Sequence, residues 1–287
     1  MHLPRLSRSR RRIREDAPLF LVISYVVAIG YALLIIVPLY FLFVSSFKTT
    51  PEIYRGVLRL PERFDLTNYV TGIAQGELLH AMRISAYVAI GAVFVTLVLA
   101  FPVSYAIARI PTRLAAWTES IFGVGFLIPA QAMLVPVFLI IVSLGLLNNP
   151  HALIVLYPAT ALPGTVFLLA STLRTVPREL EESAEIDGAN RLQMMLRIFL
   201  PLSTSGVVTV TILNFLGFWS EYMFALVLLN QQSRTIQLAV TLLKSQRAPN
   251  FGVVAAGALI SMVPIYLVFI FFQERIALGK FSGAVKQ

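Results

Sequence analysis

The sequence contains no cysteine, so neither a disulfide framework nor thiolate chemistry is available to it. Histidine is almost as scarce, and His2, His80 and His151 share no spacing that is typical of metal ligands. Charge is also rare, because Asp, Glu, Lys and Arg together make up 13% of the chain, against about 25% in soluble domains. We therefore expect no metal site and no soluble globular domain.

No nucleotide-binding loop is present either. The one Gly-Lys pair is followed by Phe281 where a phosphate-binding loop needs Ser or Thr, and Glu274 stands where the first Gly of that loop should be. No internal repeat is visible, which disfavours the transporter folds that are built from inverted repeats. We expect a chain that is not an enzyme and that carries no cofactor of its own.

Apolar residues dominate the chain. They make up 57% of the sequence, the mean hydropathy is +0.80, and several runs exceed the roughly 18 residues that a transmembrane helix needs. The prediction is an all-α, polytopic membrane protein with a transmembrane domain at residues 17–275. Six spans are expected, at about residues 18–47, 84–108, 117–147, 152–173, 198–229 and 251–273.

The net charge of +9 is distributed unevenly. A basic arm, residues 1–16, precedes the first span, and its arginines are Arg5, Arg8, Arg10, Arg11, Arg12 and Arg14. With this arm inside, the inner segments hold 15 Lys and Arg and the outer segments hold 8. Lys and Arg concentrate on the cytoplasmic side of membranes, so both termini, including the tail at residues 276–287, are expected in the cytoplasm. Nucleic-acid binding is disfavoured because no aromatic residues interleave with the arm.

One cytoplasmic segment, residues 177–201, is charged instead of apolar. Its acids are Glu179, Glu181, Glu182, Glu185 and Asp187. We expect Pro177 in the first turn of a helix, the acids near the positive end of its dipole, and Gly188 as a left-handed helix end. A second helix should begin near Asn190. Its expected apolar face is Leu192, Met195, Leu196 and Phe199. Helices that lie on lipid favour Lys and Arg, so this acidic helix is expected to meet a basic protein.

The spacing within this segment matches a known pattern. E-S-A-x-x-D-G, nine further residues and I-x-L-P run from Glu182 to Pro201, which resembles the EAA loop of ABC-importer permeases, with Ser183 in place of the usual Ala. Four further matches are similar to the carbohydrate-uptake branch, the type of the second maltose permease subunit: YAIAR at 105–109, LGLLNN at 144–149, FWSEY at 218–222 and SGAVKQ at 282–287. Two departures are Ser220, where many relatives have Asn, and the absence of the N-S pair that often opens the second span.

The resemblance implies a type I ABC-importer permease fold with a cytoplasmic coupling helix. The residues that it assigns to coupling with the ATPase are Glu182, Ser183, Ala184, Asp187, Gly188, Ile198, Leu200 and Pro201. It also implies that Ser282, Gly283 and Lys286 of the tail point toward the ATPase. The implied partners are a second permease subunit, a cytoplasmic ATPase dimer that binds ATP and Mg²⁺, and an extracytoplasmic solute-binding protein that contacts the loop at 230–250. The implied location is a bacterial-type plasma membrane.

A carboxylate in a membrane segment usually faces a cavity or a partner, and Glu221 is the one acid deep in the fifth span region. With its aromatic neighbours Trp219 and Tyr222, and with Asn214, it is a candidate for lining a sugar path. Gln131 and Tyr157 are weaker candidates. Alternatively, Glu221 bonds a neighbouring helix or lies at the outer surface.

Three functions remain open at this point. The first is a permease subunit for a sugar or oligosaccharide, working by alternating access with ATP hydrolysis on another chain. The second is the same machine for a non-sugar solute, such as glycerol phosphate or a polyamine. The third is a membrane anchor that recruits a cytoplasmic partner without transport. The sequence does not name the solute.

Overall fold

The computed structural model describes residues 17–244 and 250–281, and this part of the chain is helical and contains no strand. The all-α prediction is therefore confirmed. The helices are α1 (Ala17–Ser45), α2 (Thr50–Arg55), α3 (Thr67–Gly76), α4 (Leu78–Arg109), α5 (Arg113–Phe126), α6 (Leu134–Ser143), α7 (His151–Arg174), α8 (Glu179–Ile186), α9 (Arg191–Leu202), α10 (Thr204–Ser220), α11 (Met223–Leu228), α12 (Ile236–Lys244) and α13 (Phe251–Phe281). The basic arm and the tail residues Ser282, Gly283 and Lys286 lie outside the described residues, so the predictions made for them stay predictions.

Within the described residues, α1, α4, α7 and α13 are long and apolar enough to cross a membrane. Two bent pairs raise the number of candidate spans to six if each pair crosses as one unit. α5 meets the segment Ala130–Ser143 at 88°, and α9 meets α10 at 77°. The first bend includes Pro129, whose backbone is extended, and proline also disfavours helix in the residue before it, here Ile128. The second follows Pro201, whose missing N–H weakens the helix.

The core is built on α4 and α7, which pack against each other along most of their length. Fully buried alanines on α4, among them Ala81, Ala89, Ala92 and Ala100, let the neighbouring backbones approach closely. One cluster of buried side chains joins α4 and α7 to α10, α11 and α12. A second cluster joins the other ends of α4 and α7 to α8, α9 and α10. The charged segment is thus attached to the far end of the same two helices.

α1 lies apart from this core. The most apolar part of α1 contains no buried residue. Burial begins in its last turn and continues just after it, at Val44, Ser45, Ser46 and Lys48. An apolar helix without a buried face is suited to lipid or to a second chain.

The segment between α1 and α4 is folded and contains α2 and α3. Lys48 is buried and its Nζ donates to the Gly56 carbonyl at 3.1 Å, while burial lowers the pKa of its ammonium group. Asn68 donates to the Ser46 and Lys48 carbonyls at 2.9 Å each. Glu52 accepts from the Thr49 backbone N–H at 2.7 Å, and the hydrogen bonds from Thr49 lower its pKa. These contacts hold the segment together, and the Thr50 hydroxyl, which accepts from the Phe251 N–H at 3.1 Å, attaches it to the start of α13.

Candidate functional site

α8 presents its acids where the backbone favours them. Glu179, Glu181 and Glu182 occupy the first turn, near the partial positive charge of the helix N-terminus. The helix begins at Glu179. Pro177 therefore lies just before the helix, whereas the sequence had predicted it in the first turn. Ala184 is the buried residue of α8, with 7% of its surface exposed. A side chain this small lets α8 lie close to the second cluster.

Gly188 ends α8 in the way that the sequence predicts. Its φ is +80°, a left-handed conformation that glycine adopts without steric cost. The Ala189 N–H donates to the Ala184 carbonyl at 2.9 Å and the Gly188 N–H donates to the Glu185 carbonyl at 3.0 Å, which together form a Schellman motif. The carbonyls at the end of α8 are therefore satisfied within the corner.

The start of α9 is capped by hydrogen bonds, as is the end of α8. The Asn190 side chain accepts from the Gln193 N–H at 2.9 Å, and the Gln193 side chain accepts from the Asn190 N–H at 3.0 Å. This reciprocal arrangement is a capping box in which Asn replaces the usual Ser or Thr. Two helix ends with hydrogen-bonded caps, separated by four residues, give the α8–α9 corner a defined shape.

The expected apolar face of α9 is wrong for two of its four residues. Leu192 and Leu196 are 60% and 48% exposed, whereas Met194 and Phe199 are buried. A π-helical turn at Met195–Phe199 changes the face after Leu192, because its hydrogen bonds join residues five apart instead of four. It brings Met194 and Phe199 to the core side.

The acids of α8 fall into two groups. Glu181 faces the core and forms ion pairs with Arg109 at 3.8 Å and with Arg191 at 3.3 Å. Glu182 is exposed and forms no ion pair within the described part of the chain. A pocket of about 320 Å³ lies between α8 and the turn that joins α4 to α5. Its charged lining residues are Arg109, Arg178, Arg191, Glu181, Glu182 and Glu185.

The sequence-predicted coupling residues do not share one surface. Ser183, Asp187, Gly188 and Pro201 are exposed like Glu182. Ile198 and Leu200 are half-buried and pack, with Ala184, against the second cluster. The exposed group is available to another chain, and the buried group attaches it to the core. Glu181 as a core contact and Arg109 as its partner were not predicted from the sequence, although Arg109 ends the YAIAR match.

The second candidate group lies where α10 ends. Glu221 accepts from the Tyr157 hydroxyl at 2.7 Å and from the N–H groups of Phe224 and Ala225 at 2.8 and 3.2 Å. It therefore binds α7 and holds the start of α11, which is the alternative that the sequence had left open. It is half-buried, as is Tyr222.

Two other candidates are bonded within the bundle. Trp219 is 2% exposed, and its indole N–H donates to the Ser261 carbonyl at 3.0 Å. Asn214 donates to the Thr165 hydroxyl at 3.0 Å. Trp219 thus offers almost no surface to a solute in this conformation, whereas Glu221 and Tyr222 keep part of theirs. Gln131 is exposed in the short 3₁₀ turn Ala130–Met133 that precedes α6.

The chain is similar in sequence and in fold to known proteins. Residues 100–278 match the model of a family described as binding-protein-dependent transport system inner membrane component. This range includes the end of α4 and the whole α8–α9 corner. The chain is 31% identical over 273 residues to the diacetylchitobiose uptake system permease protein of Streptomyces coelicolor, covering 93% of this chain and 88% of that protein.

A second relative and a solved structure cover nearly the same length. The multiple sugar-binding transport system permease protein of Streptococcus mutans is 32% identical over 268 residues, which covers 92% of this chain and 96% of that protein. A chain of a bacterial ABC transporter involved in the import of the acidic polysaccharide alginate matches with a TM-score of 0.79 at 22% identity, over 95% of this chain and 99% of that one. The structural match shows a common fold.

Proposed function

The chain belongs to the family of binding-protein-dependent transport system inner membrane components, and on that premise we propose that it is the permease subunit of an ATP-driven importer for a sugar or oligosaccharide. The permease works by alternating access, and a separate subunit hydrolyses ATP. The sugar assignment is supported by the relatives named above, one of which takes up diacetylchitobiose while the other belongs to a multiple-sugar system.

The observation that carries the proposal is the α8–α9 corner. It combines an exposed acidic surface with a rigid shape and a buried attachment to the two core helices. Glu182 and Asp187 face outward, Ile186 is 87% exposed, and Ala184 packs inward. Such an element can receive a force from a docked protein and pass it to α4 and α7. No bond-making chemistry is assigned to it.

The proposed partners follow from surfaces that this chain leaves open. The ATPase dimer, which binds ATP and Mg²⁺, docks on α8 from the cytoplasm, and both termini of the permease lie on that side. A second permease subunit completes the path, since six spans make half of one and α1 has an uncovered apolar surface. The solute-binding protein docks outside, at the loop that contains α12. The complex resides in a bacterial-type plasma membrane.

The contact with solute is proposed at the end of α10. Glu221 and Tyr222 offer a carboxylate edge and an aromatic face, which together suit a sugar ring. Trp219 anchors the end of α10 from which they follow, because its indole N–H donates to the Ser261 carbonyl and its ring is stacked on that of Phe215 at 5.6 Å.

Uptake in cells tests the function. In cells that express this chain with its partner subunits, labelled diacetylchitobiose should accumulate, and Glu182→Lys should abolish accumulation while the protein still inserts into the membrane, because the substitution reverses a charge on the docking surface. Glu62→Lys is the matched control, since Glu62 is exposed in the segment between α1 and α4.

The control should retain normal uptake. Accumulation of labelled glycerol 3-phosphate or spermidine in place of the disaccharide would replace the sugar assignment with the non-sugar one. Normal uptake by the Glu182→Lys variant would contradict the role of the corner.

A further inference from the structure

Arg109, the last residue of α4, is buried where four helices meet. Its side chain is 4% exposed, and its guanidinium donates to the carbonyls of Leu173 and Val176 at the end of α7. The Leu173 carbonyl also accepts from the Val176 N–H at 3.3 Å, so the arginine adds a second donor to a turn that already closes the end of α7. The contact ties the end of α4 to the end of α7.

The same guanidinium also reaches α8 and α9. Its Nη1 lies 3.8 Å from an Oε atom of Glu181, whose side chain is 14% exposed. Its Cζ lies 4.7 Å from the centre of the Phe199 ring, and that ring packs edge-on against Tyr105 at 5.1 Å. A planar guanidinium with five donors can bind two carbonyls, pair with a carboxylate and stack on a ring at once, which an ammonium cannot do.

A neighbouring ion pair provides a comparison for the pair of Arg109 with Glu181. Arg174 pairs with Glu119 at 2.9 Å, but the two side chains are 47% and 35% exposed, and they join only α7 to α5. Exposed pairs of this kind contribute little. Arg109 is the more buried of the two arginines, and it contacts both helices of the corner.

We propose that Arg109 is a positioning residue for transport, which fixes α8 and α9 to the ends of α4 and α7 so that a displacement of the corner moves both core helices together. The proposal rests on the proposed function, because it supposes that an ATPase displaces α8. It extends the set of residues that coupling requires from the exposed docking surface to the buried core.

The test compares Arg109→Gln with Arg174→Gln in the complete complex, reconstituted in proteoliposomes with its binding protein and diacetylchitobiose. Arg109→Gln should keep basal ATP hydrolysis within about twofold, since the ATPase active site is on other chains, while stimulation by the loaded binding protein and uptake per ATP both fall at least fivefold. Arg109→Lys should retain the positive charge, but an ammonium cannot make all of the guanidinium's contacts at once. Its loss of stimulation and of uptake per ATP should therefore be intermediate. Arg174→Gln should behave like the unchanged chain.

A distance measurement keeps the test decisive if Arg109→Gln fails to assemble. Because the chain has no cysteine, spin labels at Arg113→Cys and Glu185→Cys report the separation of α5 and α8 in the complex. Arg109→Lys should broaden this distance distribution and Arg174→Gln should not. Full coupling and an unbroadened distribution in Arg109→Lys would overturn the proposal. Absence of stimulated hydrolysis in the unchanged complex would instead contradict the proposed function.

Discussion

Glu221 has a structural role in the bundle as well as a proposed place on the solute path. Its carboxylate is the acceptor for the hydroxyl of Tyr157, which is 1% exposed. If the carboxylate is removed, that hydroxyl is left buried without a partner. Leaving a buried polar group unsatisfied costs about 1–3 kcal/mol.

A double-mutant comparison follows from this contact. Glu221→Ala should lower the thermal stability of the purified permease, measured as the fraction that remains monodisperse after heating. Tyr157→Phe introduced into the same background should restore part of the loss, because the orphaned hydroxyl is gone. Additive losses in the double variant would show that the two side chains are not coupled. Uptake by Tyr157→Phe alone then reports whether the path depends on the hydrogen bond.

At the scale of elements, the α8–α9 corner depends on one backbone conformation. Gly188 has φ +80°, and a Cβ added there would meet no atom within 4 Å. The cost of Gly188→Ala is therefore conformational, about 1–2 kcal/mol for a residue in the left-handed region. Gly217 in α10 has the same open space without the left-handed φ, so it provides a matched control.

The expected outcome separates the two glycines. Gly188→Ala should lower the midpoint of thermal unfolding and reduce uptake, Gly188→Asn should cost less because Asn tolerates this conformation, and Gly217→Ala should be neutral or slightly stabilising. Equal losses at positions 188 and 217 would indicate that conformation is not the cause. A β-branched residue at 188, such as Val, should uncouple hydrolysis from uptake more strongly, because it fits the left-handed region less well than Ala.

The elements also show which features the sequence could predict. α8, its acidic first turn and the glycine corner were predictable because each depends on local chemistry: charge near a helix end and a left-handed glycine. The face of α9 was not, because the π-helical turn at Met195–Phe199 rotates it and periodicity assumes a regular helix. The pairing of Arg109 with Glu181 was also hidden, since it joins residues 72 positions apart.

For the whole molecule, one continuous helix joins the two ends where partners are proposed to dock. At the end that is proposed to face outward, Ser85 of α4 accepts from the Ile236 N–H at 2.8 Å, and Arg234 pairs with Glu77, the residue before α4, at 3.1 Å. At the opposite end, which is proposed to face the cytoplasm, Arg109 contacts the corner. The apolar character and helical class of the molecule were clear from its composition. The bends that divide the third and fifth expected spans were not, because they depend on how neighbouring helices accommodate Pro129 and Pro201.

This chain is proposed to pass solute across the membrane when an ATPase on another chain hydrolyses ATP. Uptake of labelled diacetylchitobiose into proteoliposomes that contain the purified complex measures this transport. We expect accumulation only when ATP, the binding protein and this permease are present together, and none when ATP is replaced by a non-hydrolysable analogue. If the complex assembles and hydrolyses ATP but accumulates neither the disaccharide nor any other solute offered with its binding protein, the chain is not a permease subunit of an importer.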